Sequence, residues 1–148
     1  MKLLIIGSDK KFAHVINHEL DKAQWRVRYI RDGDLGQEIA LRDQFDLILL
    51  SWSPPKKDGL SIMSELRKQK KRIPILMLAA GESMKEVILS LDAGSDACVS
   101  EPINIDDVLA RMKALMERSN YGKTLKREVN LAAVAEIPQV LVLDEEGE

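Results

Sequence analysis

An α/β domain built on one parallel sheet is what this sequence predicts, and three observations predict it. Five apolar or alternating runs of strand length recur along the chain, a segment with helical hydrophobic spacing follows each, and small or turn-forming residues separate them. Runs that are apolar without alternation suit strands buried on both faces. Strand–helix alternation then joins them by right-handed crossovers into a three-layer sandwich.

The elements follow in order. Residues 3–6 are wholly apolar and stop at Gly7-Ser8-Asp9, where Ser8 or Asp9 can cap a helix. From Lys10 to Ala23, Phe12, Val15, Ile16 and Leu20 recur at helical spacing. Trp25 to Ile30 alternates Trp, Val and Tyr against Arg26 and Arg28, as an edge strand does, and Asp32-Gly33 turns the chain. Leu35, Ile39 and Leu41 mark a second helix. Phe45 to Leu50 is the third strand, ending at Ser51. Pro54-Pro55 cannot continue a ladder, and a helix restarts after Asp58-Gly59 with Leu60, Ile62, Met63 and Leu66 on its apolar face.

Ile73 to Ala80 is the fourth strand, with Pro74 where a strand start tolerates it. Met84, Val87, Ile88 and Leu91 carry the apolar face of the next helix, which Gly94 ends. Ala97-Cys98-Val99 is a short fifth strand stopped by Pro102. Ile105, Val108, Leu109, Met112, Leu115 and Met116 form the clearest amphipathic helix, with Asp106-Asp107 in its first turn and Arg118 in its last. Asn120-Tyr121-Gly122-Lys123 is expected to break it. The predicted division is a domain over 1–119 and an extension over 120–148, with weak strand candidates at Val129–Ile137 and Val140–Leu143 and an acidic end, Asp144 to Glu148.

Composition bounds the function. A formal charge of −2 and a pI near 5.8 give the whole chain no bulk attraction to nucleic acid or anionic membrane. A single cysteine, Cys98, excludes an internal disulfide and a Cys-rich zinc site. The N-terminal apolar run is too short for a signal segment and no run reaches the ~18 residues of a membrane span, so a cytoplasmic protein without membrane contact is expected. His14 and His18 have the spacing of a metal pair without a third ligand. Gly122-Lys123-Thr124 imitates the end of a phosphate loop, but its first glycine would fall on Glu117. The run Arg67 to Arg72 reads as a solvated helix end. In an open α/β sheet the site lies beyond the carboxyl ends of the strands, which points to Ser51 through Asp58.

Several blocks together resemble a family: Leu4-Ile5-Ile6 and its turn, Asp46 to Leu50, Pro55-x-x-Asp58-Gly59-Leu60, Pro74 to Leu78, Leu91 to Asp96, Pro102, and Leu109-Ala110-Arg111. Over residues 2 to 119 the chain resembles the receiver domain of bacterial two-component response regulators, nearest the branch that precedes winged-helix DNA-binding domains. The resemblance implies a flavodoxin-like fold with strand order 2-1-3-4-5. It also implies phosphorylation of an aspartate, with Mg²⁺ held by that aspartate, an acidic pair after the first strand and a backbone carbonyl.

Aligned to that pattern, the acidic pair falls on Gly7 and Ser8, with Asp9 one position late, and the acceptor falls on Ser51. The hydroxyl after strand four falls on Ala79, the aromatic switch on Cys98 and the lysine before the proline on Glu101, which is expected to pair with Lys10, Lys11 or Lys56. The resulting expectation is a pseudo-receiver: not an enzyme, without Mg²⁺ or another cofactor, independent of phosphorylation, and acting through a protein partner or a homodimer. The resemblance places that dimer on the fourth helix, fifth strand and fifth helix, with Lys85, Asp96, Arg111 and Arg118 as interface candidates. A phosphoprotein switched at Ser51 or another side chain, and a small-ligand-binding domain, are the alternatives. DNA contact is expected only if a separate output domain follows residue 148.

Overall fold

A computed structural model describes residues 1–21, 25–79, 84–100 and 102–126, the last eight of these in backbone only. The elements alternate without exception: β1 (Lys2–Ile6), α1 (Lys10–Asp21), β2 (Arg26–Ile30), α2 (Gly33–Arg42), β3 (Leu47–Ser51), α3 (Gly59–Lys68), β4 (Ile75–Ala79), α4 (Met84–Ala93), β5 (Ala97–Ser100) and α5 (Ile105–Lys126). All strand pairs are parallel and the order is β2-β1-β3-β4-β5, the flavodoxin-like arrangement.

Strand periodicity divides the core in two. Leu3, Ile5, Leu47, Leu49, Leu76 and Leu78 face α1 and α5, where Ile16, Val108, Met112 and Met116 meet them. Leu4, Ile6, Ile48, Leu50, Ile75 and Met77 face α2 and α3, against Ile39, Ile62, Met63 and Leu66. Removing each such side chain from water contributes about 1.5–3 kcal/mol, which is why wholly apolar runs occupy the three central strands. The predicted alternation of β2 is present: Trp25, Val27 and Tyr29 join the α1/α5 layer, while Arg26 is exposed.

Side-chain caps start the helices. Asp9, rather than Ser8, caps α1: its Oδ1 accepts from Phe12 N at 2.7 Å. Asp32 accepts from Asp34 N and Leu35 N at the start of α2, and Asp58 accepts from Ser61 N at 2.9 Å and Ser61 Oγ at 2.8 Å at the start of α3. Asn104 Oδ1 takes Asp106 N at 2.8 Å before α5.

Two expectations need correction. The fifth helix does not break at Asn120–Lys123 but continues to Lys126. One interior glycine costs about 1 kcal/mol, while each added residue gains a hydrogen bond, so Gly122 alone does not stop it. The apolar spacing of α4 does not mark an inward face. Ser90 is its buried residue, whereas Met84, Ile88, Leu89 and Leu91 are 69%, 52%, 43% and 46% exposed. Its inward side is polar: Ser90 Oγ lies 2.6 Å from Ser95 Oγ, and the buried Glu86 Oε1 has no hydrogen-bond partner among the described residues. The strand candidates at 129–143 lie outside the described residues. Among the described residues, no helix is long and apolar enough to cross a membrane.

Candidate functional site

Sheet register assembles the site. Ile6 pairs with Leu50 and Ser51 with Leu78, so Gly7, Ser51 and Ala79 emerge together at the carboxyl edge of β1, β3 and β4. There a cavity of about 290 Å³ is lined by Gly7, Ser8, Asp9, Ser51 and Ala79, as the sequence predicts, with Phe12, Ser53, Leu78 and Ile103 added. Among the described residues, three serines and one carboxylate are the polar side chains of its lining, and that carboxylate already caps α1. The Ser8 hydroxyl oxygen is buried without a hydrogen-bond partner among the described residues, while the Ser8 carbonyl accepts from Tyr29 Oη at 2.6 Å. Burial holds the Tyr29 hydroxyl above its usual pKa.

The loop between β3 and α3 closes one side of the cavity. Gly7 has φ +82°, a left-handed conformation, and its N–H donates to Ile30 O at 2.9 Å. A Cβ at this position would lie 2.2 Å from Pro54 Cβ and 2.9 Å from Pro54 Cα, so the loop occupies the space a side chain at position 7 would need. Further along, Gly33 N donates to Pro55 O at 2.8 Å and Gly59 N to Trp52 O at 2.8 Å. The Lys56 ammonium lies 3.0 Å from Asp32 Oδ2. The hydrogen bond from Lys56, with those from the α2 backbone, holds the Asp32 carboxyl below the usual range, and Asp32 in turn raises Lys56. Lys56 thus points its charge at α2.

The remaining predicted positions separate. Cys98 is a half-buried free thiol whose pKa is raised by burial, with a hydrogen bond to Ser90 beneath α4. Glu101 lies outside the described residues. His14 and His18 are on the exposed face of α1, and among the described residues no three His, Cys, Asp or Glu side chains gather as a metal cluster.

The four charged interface candidates lie on the predicted elements but have partners within the chain. Asp96 Oδ2 accepts from Arg67 at 3.0 Å and from Ile75 N at 2.8 Å, while its Oδ1 is 3.8 Å from Arg118. Arg111 pairs with Asp107 one turn earlier at 3.1 Å, and Lys85 is exposed on α4. Sequence reasoning missed Pro54 and Arg67. Pro54 carried no signal beyond its turn propensity. Arg67 was hidden in a basic run, yet its guanidinium also donates to Gly94 O at 3.0 Å and to Lys71 O and Ile73 O at 2.8 Å, pinning α3 to the segments on either side of β4.

Comparison with known proteins agrees with this architecture. The family profile described as response regulator receiver domain matches residues 3–113. The chain is 33% identical over 121 residues to the DNA-binding dual master transcriptional regulator RpaA of Synechocystis, covering 80% of this chain and 50% of that protein. It is 31% identical over 121 residues to the alkaline phosphatase synthesis transcriptional regulatory protein PhoP of Bacillus subtilis, with 82% and 50% covered. The chain therefore spans about half the length of these curated relatives. Among solved structures, the Francisella response regulator 1452 receiver domain superposes with a TM-score of 0.75 at 30% identity, covering 80% of this chain and 98% of that one. The profile match and these identities, on a 2-1-3-4-5 sheet, place the chain in the response regulator receiver domain family.

Proposed function

We propose that this chain is a receiver whose phosphorylation pocket lacks the acidic groups of the family pattern, and that it signals through surface contacts without aspartyl phosphorylation and without an enzymatic activity of its own. The observation that carries this reading is Gly7. Its left-handed φ and the position of Pro54, 2.2 Å from where a Cβ would be, make the lost carboxylate a feature of the packing as well as of the sequence. Ser51 at the end of β3 offers a hydroxyl where the family pattern has its acceptor aspartate, and no basic side chain lines the cavity among the described residues to activate it.

The residues present do not fit Mg²⁺, which takes near-octahedral oxygen ligands and is usually held through carboxylates. Asp9 is the cavity's one carboxylate among the described residues, and Phe12 N engages it at 2.7 Å. Phosphoryl transfer in turn relies on metal and cations to neutralise developing charge. No cofactor is assigned.

The contact surface in this reading is α4, β5 and α5, with a second copy or a protein partner as its occupant. What supports it is the exposed apolar face of α4, Met84, Ile88 and Leu91, on the same elements as Lys85, Arg111 and Arg118. The named relatives are described as transcriptional regulators. For this chain that role is proposed only together with a separate DNA-binding output domain, acting in the cytoplasm.

The test is intact-mass measurement after incubation with a small phosphodonor and Mg²⁺. An unshifted mass is expected, and a stoichiometric acid-labile phosphoryl adduct refutes the reading. Phosphoserine at Ser51 in chain purified from its own cell would favour the alternative switch.

A further inference from the structure

The end of the domain opposite Ser51 carries a feature that phosphorylation chemistry does not account for. Helix α3 ends at Lys68 with Gln69 as its C-cap, and the chain then turns through Lys70 at φ +63°, with Lys71 N donating to Leu66 O at 2.9 Å. This is a Schellman closure with lysine where glycine is usual. Arg67 fixes the turn from within by donating to Lys71 O and Ile73 O. Arg67 and Lys68 lie in the last helical turn and complement the helix dipole, but Lys70, Lys71 and Arg72 lie beyond it. Lys68, Lys70 and Arg72 are exposed, and among the described residues none of these four free cations, Lys71 included, has an ion-pair partner.

Beside them is a groove of about 280 Å³ lined by Lys71 and Arg72, by Gln44 and Asp46, and by the partly exposed Phe45, Ile73 and Pro74, with the buried Met116 at its floor. Among the described residues the groove has one acid, and it is engaged: Asp46 Oδ2 accepts from Lys2 N at 2.8 Å. A groove of mixed polar and apolar lining with a cationic rim fits a segment whose apolar residues run into carboxylates. The chain contains such a segment: Val140-Leu141-Val142-Leu143 runs directly into Asp144-Glu145-Glu146-Gly147-Glu148.

We propose that this groove is a docking site for apolar–acidic segments and that Val140–Glu148 of the same chain occupies it. Helix α5 supplies Met116 to the groove and carries the chain ~15 Å past it by Lys126, at the helical rise of 1.5 Å per residue. The fourteen residues from Lys126 to Val140 can span up to ~46 Å, three times the return distance. Tethering gives the segment a local concentration of order millimolar, so a contact too weak to form between separate molecules is sufficient here.

The test places the photo-crosslinker benzoylphenylalanine at position 44, replacing the exposed Gln44 that also lines the groove, in the full chain. Irradiation followed by peptide mass spectrometry is expected to find a crosslink within one chain to residues 140–148. Its yield should fall about fivefold in Lys71→Glu/Arg72→Glu. It should also fall between 0.1 M and 1 M salt, as the screening length shrinks from ~10 Å to ~3 Å. Adding Asp144→Lys/Glu145→Lys to the reversed groove should restore the yield, which a merely misfolded groove would not allow. A crosslink only between two chains, no crosslink to 140–148, or a yield indifferent to charge reversal overturns the proposal. So does binding of a DNA duplex that depends on Lys71 and Arg72 without the tail crosslink, which would make the patch a nucleic-acid surface.

Discussion

Replacing Gly7 with aspartate, the residue type that the family pattern carries there, should destabilise the domain. A side chain at φ +82° costs about 1–2 kcal/mol for leaving the right-handed regions. A Cβ 2.2 Å from Pro54 Cβ and 2.9 Å from Pro54 Cα forces the β3–α3 loop to shift, at about 1–3 kcal/mol for overpacking. The expected loss is thus about 2–5 kcal/mol, or roughly 6–25 °C in Tm for a domain of this size. Urea unfolding followed by far-ultraviolet circular dichroism and by Trp25 and Trp52 fluorescence measures it. Pro54→Gly removes the nearest obstructing atom and separates the two contributions. Combined with Gly7→Asp, it should recover about 1–3 kcal/mol relative to the sum of the single changes, leaving the backbone cost in place. A Gly7→Asp variant within about 0.5 kcal/mol of the parent, or strict additivity with Pro54→Gly, would refute the claim that Pro54 fills the vacated position.

Asp58→Ala should cost about 1 kcal/mol by removing the cap of α3. The hydrogen bonds from Ser61 hold the Asp58 carboxyl below its usual pKa, so this stabilisation is present above about pH 4 and is lost as the pH falls through the lower folded value; equal acid sensitivity of parent and variant contradicts it. Arg67→Lys should destabilise the chain nearly as much as Arg67→Ala, by about 2–4 kcal/mol in urea, because an ammonium cannot reach Gly94 O, Lys71 O, Ile73 O and Asp96 together. A lysine variant of parental stability is the contrary result. Cys98 should react slowly with an aromatic disulfide reagent at pH 7.5 and at the rate of a free thiol in denaturant, since burial raises its pKa and half-covers the sulfur; equal rates in both conditions count against this. Ile88→Glu, on the exposed face of α4, should leave stability within about 0.5 kcal/mol while abolishing self-association or partner binding in sedimentation velocity, and unchanged association would remove α4 from the contact surface.

Strands were the legible part of the fold. The apolar runs of β1, β3 and β4 admit one environment, a sheet covered on both faces, and the alternation of β2 places it at an edge. The cavity residues Gly7, Ser8, Asp9, Ser51 and Ala79 were legible because parallel register brings strand ends to one edge irrespective of which side chains stand there. Helix α4 was not legible, because periodicity tells which residues share a face but not which face turns inward. Beside the edge strand β5, a small polar face built on Ser90 is the one that packs. The contact of Gly7 with Pro54 joins residues 47 apart, and no local pattern encodes it. The end of α5 was misjudged for the opposite reason: Gly122 is a strong local signal that helix propagation outweighs.

Gly7 and Ser51 are coupled features of one loop. The segment after Ser51 is held by Pro54 against Gly7, by Pro55 O accepting from Gly33 N, by Lys56 on Asp32 and by Gly59 N on Trp52 O. Gly59 itself leaves no space, since a Cβ there would lie 2.3 Å from Ser51 O. A receiver that responds to a phosphoryl group needs carboxylates to hold the metal and cationic charge to neutralise the phosphoryl group. Among the described residues, Pro54 stands where a side chain at position 7 would extend, the nearest lysine of the loop is committed to α2, and the cavity's one carboxylate caps α1. On the reading proposed above, an aspartate at position 51 alone would supply an acceptor without the site around it, and a loop fixed at four points presents one shape to the proposed partner.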